Sequence, residues 1–202
     1  MGIVFGMTSV QEPAFSLVYK GGAYCIRDYS PYVIASVPMS GYGGAGQPFG
    51  ILAKYIGVFG IPQNKESQAM AMTAPVLTHP TRGGVKMAMT APVLTEIDSM
   101  SFVLPFDITD ASRAPKPLDD RIKLKTIPKK KLAVLQFSGF VNENIAYKKT
   151  KALISYLKKD KYLEENVKDG DLDVEIAQYN PPFTIPWLRR NEVWIDLTTH
   201  LK

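Results

Sequence analysis

The chain has 202 residues, of which 46% are hydrophobic and 10% aromatic, enough to build a core and to exclude global disorder. Its net charge of +5 comes partly from lysine runs at 129–131, 148–151 and 158–161. No zinc spacing, basic-region heptad or aromatic ribonucleoprotein motif accompanies them, which argues against nucleic acid as a partner. A single cysteine, Cys25, excludes a disulfide-stapled fold and favours a reducing compartment.

No lysine or arginine precedes Lys20, so the cationic start of a secretory signal or transit peptide is missing. Gly6 stands where a myristoylation signal requires serine or threonine. The first strand-like runs, rich in β-branched and aromatic residues, fall at 15–20, 23–29 and 32–39. A helix is predicted over 49–56, with Pro48 in its first turn and Gly57 closing it. The apolar stretch 49–61 that contains this helix carries Lys54 and is too short to span a bilayer. These features predict a cytoplasmic protein with no transmembrane segment.

On a helical wheel Phe49, Leu52, Ala53 and Ile56 form one stripe, which must pack on a sheet. Ile51, Tyr55 and Val58 fall on the opposite side, beside Lys54. Such a second apolar face is either covered by another segment or offers a shelf to a flat apolar ligand with negative groups.

The nine residues Met-Ala-Met-Thr-Ala-Pro-Val-Leu-Thr occur twice, at 70–78 and 87–95. Both copies read as strands, and Pro80, Gly83 and Gly84 between them supply turn chemistry, so a hairpin of the two copies is predicted. Met70, Met72, Met87 and Met89 alternate with alanine, which puts each pair on one face of an extended chain. Those side chains suit an adaptable apolar surface or ordinary core packing equally.

A strand follows at 101–104, and 107–120, with Pro115 and Pro117, reads as a linker. Strands are predicted at 121–127 and 132–137, a helix over 143–159 capped by Asn142, and strands at 172–179 and 192–198. In that helix the lysines alternate with Ala152, Leu153, Tyr156 and Leu157, as on the solvated back of an amphipathic helix.

The order of elements repeats. Residues 32–37 lead through Ser40-Gly41-Tyr42 to the first helix, and 132–137 lead through Ser138-Gly139-Phe140 to the second. Two β-α-β-β halves, about 23–106 and 121–199, within one domain spanning 1–202 predict an α+β protein: an antiparallel, barrel-like sheet flanked by two helices.

Six segments resemble the SOUL/heme-binding protein family, in that family's order: Lys54-Tyr55-Ile56-Gly57, Met72-Thr73-Ala74-Pro75-Val76, Phe102-Val103-Leu104-Pro105, Pro115-Lys116-Pro117, Phe137-Ser138-Gly139 and Arg189-Arg190-Asn191-Glu192-Val193-Trp194. The doubled methionine motif and the opening Met1-Gly2-Ile3-Val4-Phe5-Gly6 look most like cytosolic plant and algal members. The resemblance implies a distorted barrel of about eight strands with two helices. It implies a shallow hydrophobic cleft beside the first helix that takes heme, or other porphyrins, non-covalently and reversibly, in a carrier or buffer without catalysis. The fold is also similar to the multidrug-effector-binding domains of bacterial regulators.

By that match Lys54 takes the position of a lysine that meets a heme propionate. The site residues expected are Ile51, Lys54, Tyr55, Val58, Met72, Met89, Arg189 and Arg190. Some animal members carry a lysine before the paired arginines, where this chain has the apolar run 183–187, so propionate pairing there falls to Arg189 or Arg190. The other reading of those arginines is pairing with Glu192 or Asp196. Only His79 and His200 offer imidazole, and His79 is the candidate weak axial ligand to an otherwise poorly ligated iron. No dedicated metal site is expected.

Two other functions fit the residues. Glu175, Tyr179 and Glu192 could gather as acid and base in a small-molecule-processing enzyme, although no nucleophile elbow, zincin helix or phosphate loop is present. The two-faced helix could also seat a peptide in an interaction module.

Overall fold

The computed structural model describes residues 10–42, 45–79, 99–181 and 183–200. Nine strands form one antiparallel sheet: β1 (Phe15–Lys20), β2 (Cys25–Tyr29), β3 (Tyr32–Pro38), β4 (Val76–Thr78), β5 (Ser99–Val103), β6 (Lys123–Ile127), β7 (Lys130–Phe137), β8 (Val174–Gln178) and β9 (Asn191–Asp196). Two α-helices, α1 (Gly46–Ile56) and α2 (Glu143–Lys159), accompany it. The architecture is the expected α+β, with nine strands among the described residues where about eight were anticipated.

Strands lie in the order β1-β2-β7-β9-β8-β4-β5-β3-β6. With β1 set aside, the order is a palindrome: β2, β3, α1, β4 and β5 of one half correspond to β6, β7, α2, β8 and β9 of the other. The halves meet where β4 pairs with β8, Leu77 opposite Ala177. Each half lends its first strand to the other, β2 pairing with β7 and β6 with β3, so the duplication is interlocked rather than merely side by side.

Period-two alternation sorts the strand residues onto two faces. Val33, Ala35, Val37, Met100 and Phe102 pack under Leu52, Ala53 and Ile56 of α1. Ala133, Leu135, Val193 and Ile195 pack under Leu153, Ile154 and Leu157 of α2. Their neighbours Tyr29, Tyr32, Val103, Leu132, Tyr179 and Trp194 turn to the other, helix-free face, where they form a third cluster with Leu77. Both helices therefore sit on one side of a curled sheet.

The helix ends follow their sequences. Asn142 accepts a hydrogen bond from the Ile145 N–H at 2.9 Å and so satisfies one orphan donor of α2. Gly57 ends α1 at φ +90°, and a Cβ there would lie 2.7 Å from Pro62 Cγ, so only glycine fits.

One expectation falls beyond the described residues, and another meets a different arrangement. The proposed hairpin partner of β4, the second repeat copy, lies outside the described residues, but β4 itself has β5 on one edge and β8 on the other. The supposed linker is not loose. Ile108 and Ala114 are buried in the α1 cluster, together with Ile122 just beyond the segment, because their apolar side chains cover the far side of that helix.

Candidate functional site

The cleft beside α1 is assembled from three pieces of chain. After the Gly57 turn the backbone doubles back, and the Gln63 N–H donates to Lys54 O at 2.9 Å. The next residues clip the former linker in place: Lys65 N–H donates to Lys116 O at 2.8 Å and Leu118 N–H to Gln63 O at 3.1 Å. Asn64, buried, donates to Tyr55 O and Gln68 O at 3.0 and 2.8 Å and fixes the bend. Between α1 and this wall lies a cleft of about 560 Å³, lined by Ile51, Lys54, Gln63, Leu118 and residues 119–122. That volume falls within the range of small-molecule and cofactor sites.

Ile51 is half-buried and Lys54 exposed at the cleft. Val58 is exposed, and the chain continues it with Phe59 and Ile61, which are 64% and 79% exposed. An apolar shelf thus extends past the end of α1. Among the described residues Lys54 has no ion-pair partner, whereas the neighbouring Arg121 is held by Asp119 at 2.6 Å and by Tyr42 Oη at 3.1 Å. Lys54 is the cation left available to an anionic group.

Tyr55 does not share that surface. It is fully buried, and its hydroxyl donates to Pro115 O at 2.8 Å, because the 105–122 segment covers this side of the helix. Burial pushes the phenol well above its ordinary range. Met70 is buried under α1, while Met72 is 37% exposed. Met89 lies outside the described residues.

The arginines and His79 are elsewhere. Arg190 lies over the Tyr179 ring at 3.8 Å and forks onto Glu192 at 2.9 and 3.1 Å and onto Glu12 at 2.9 and 3.0 Å. Arg189 donates to Thr184 O at 2.8 Å and stacks over Phe140 at 4.7 Å. Glu192 accepts from Arg27, Tyr179 and Trp194 as well, all within 3.2 Å. Burial alone would raise this carboxyl, but Arg27 and Arg190 outweigh it and hold the group below its ordinary range. Glu192, Tyr179 and Trp194 belong to the helix-free face, so the sheet separates Arg190 from Lys54.

His79 lies on that same face. Its Nε2 is 3.4 Å from Glu175 Oε1 and 3.7 Å from Asp173 Oδ1, and its Nδ1 is 3.3 Å from Ser99 Oγ. The imidazole is turned to carboxylates at the sheet centre, not toward α1. The structure therefore brings Ile51 and Lys54 together, with Val58 close along the chain, and leaves His79, Arg189 and Arg190 out of that cleft. Leu118 and Arg121 are lining residues that sequence reasoning missed. Only the proline-spaced segment around them marked the place, and it read as a connection.

A curled antiparallel sheet with two helices on one face and a cleft along the first of them defines an α+β architecture. The SOUL heme-binding protein model matches residues 10–84 and 79–196, nearly the whole chain. The chain belongs to the SOUL heme-binding protein family. No curated protein matches it. Among solved structures, the EcmrR C-terminal domain superposes with a TM-score of 0.51 at 11% identity, covering 89% of this chain and 97% of that one. EcmrR in a DNA complex gives 0.50 at 11% identity, covering 85% of this chain and 56% of that one. At such identity the likeness concerns the fold. Among the described residues no helix is long and apolar enough to cross a membrane.

Proposed function

We propose that the protein binds heme or a related tetrapyrrole reversibly and without covalent attachment in the cleft along α1, as a cytoplasmic carrier or buffer rather than a catalyst. The observation that carries this reading is Lys54, without an ion-pair partner among the described residues, at the edge of a cleft that holds Ile51 and Leu118 and continues into exposed Val58, Phe59 and Ile61. An apolar macrocycle gains from covering such surface at about 25 cal/mol per Å² removed from water. A propionate gains from the ammonium group. The iron would find no imidazole there, because His79 faces the other side of the sheet, so binding would be apolar-driven and loosely ligated. Membership of a heme-binding family supports the ligand class.

A carrier reading also fits Glu192, one of the three acid-base candidates of the sequence. Its two oxygens are occupied by donors from four side chains, which leaves it neither exposed nor free to exchange a proton with a substrate.

Titration of hemin, followed at the Soret band, tests the assignment. Lys54→Ala is expected to weaken binding about two- to fivefold, the worth of one solvent-edge ion pair. His79→Ala is expected to leave the spectrum of the complex unchanged. The reverse pattern would overturn it.

A further inference from the structure

The antiparallel register places three metal-ligating side chains from distant parts of the sequence at the centre of the helix-free face. His79 follows β4, Asp173 immediately precedes β8, and Glu175 lies in β8 one period-two step further on. One ligand atom from each lies within 4.8 Å of the others. We propose that His79, Asp173 and Glu175 bind a divalent first-row cation of the zinc class, a site independent of the α1 cleft.

The distances fit such an ion. Metal bonds of about 2.0–2.1 Å at tetrahedral angles put neighbouring ligand atoms about 3.3 Å apart. Here Nε2 stands 3.4 Å from Glu175 Oε1 and 3.7 Å from Asp173 Oδ1. One imidazole and two carboxylates also make a donor set that zinc, cobalt and manganese accept. With Nε2 on the metal, Nδ1–H is left to donate to Ser99 Oγ, at 3.3 Å, the outer contact that orients a ligating histidine. Three protein ligands leave one tetrahedral position open to water.

The surrounding charges allow it. Lys130 Nζ is 3.1 Å from Asp173 Oδ2 and 3.1 Å from Asp196 Oδ2, so it engages the oxygen of Asp173 that does not face His79. Asp173 Oδ1 and Glu175 Oε1 remain directed at the imidazole. Glu175 is buried, whereas the Asp173 side chain is 49% exposed and gives an ion a way in. Lys130, beside Asp173 Oδ2, keeps the affinity moderate.

The test uses the full chain at neutral pH. Zn²⁺ is titrated calorimetrically and Co²⁺ by visible absorption, which is intense for tetrahedral and weak for hydrated octahedral cobalt. One site per chain in the micromolar range is expected. His79→Ala and Glu175→Gln should each weaken it more than about tenfold, while His200→Ala leaves it unchanged. Circular dichroism of each variant separates loss of a ligand from loss of fold, and Asp173→Asn, at a half-exposed position, substitutes for either variant that unfolds. Absence of a site, or a site that survives His79→Ala with unaltered affinity, overturns the proposal.

Discussion

At the level of single residues, Glu192 is the best-determined group in the protein. It is fully buried and receives two guanidinium groups, a phenol and an indole N–H. Replacing it with alanine strands Arg27 in the interior, and such breakage of a buried pair costs about 3–5 kcal/mol. The folded carboxyl titrates below its ordinary range, so the unfolded chain takes up the proton first as pH falls. Its stabilisation is therefore complete above the unfolded carboxylate pKa and is lost as pH drops through the lower, folded value. Chemical denaturation from pH 7 to pH 3 should show a steep acid loss in the native chain and a flatter one in Glu192→Gln. An equal slope in both would contradict this.

Residue identity alone disclosed part of the site. The wheel of α1 placed Leu52 and Ala53 inward, and Val58 and Lys54 are exposed as their spacing required. The same wheel put Tyr55 on the outward face, yet its hydroxyl meets Pro115, sixty residues away. Periodicity reports which side of a helix is apolar; it carries no information about a distant segment that covers it. The arginines show the same limit. Pairing of Arg190 with Glu192 was one of two readings, and the side-chain geometry shows it taken.

Among the elements, helices and strands were legible because local rules govern their ends. α2 runs over the 143–159 that Asn142 and the lysine pattern indicated, and α1 stops at Gly57 as expected but starts at Gly46, before Pro48. The repeat was legible as a repeat, but the neighbours of its first copy were not. Nothing in nine identical residues reveals that β4 lies between β5 and β8. Because those two neighbours satisfy Val76–Thr78, one copy suffices for the sheet. Deleting residues 79–95 leaves a single copy joined to β5 by residues 96–98, a length within the usual hairpin range of about 2–5 residues. That variant should fold with an unchanged far-UV circular dichroism shape and cooperative unfolding, and it should lose zinc binding with His79. A molten or insoluble product would show that the seventeen residues are needed.

Over the whole molecule, the sheet is the organising fact. It sets the α1 cleft on one face and the Glu192 and His79 groups on the other, joined by a centre of Tyr29, Tyr32, Tyr179 and Trp194. The duplication was readable from the order of elements, whereas the exchange of first strands between halves was not, since strand pairing across 100 residues leaves no local mark. Which face receives a tetrapyrrole is thus the central question. Hemin carries a paramagnetic iron, which broadens the NMR signals of nearby nuclei. Titrating it into isotope-labelled protein should broaden the resonances of Ile51, Lys54, Val58 and Leu118 and leave those of Tyr179, Arg190 and Glu192 sharp. Broadening centred on Tyr179 and Arg190, with α1 unaffected, would contradict the account.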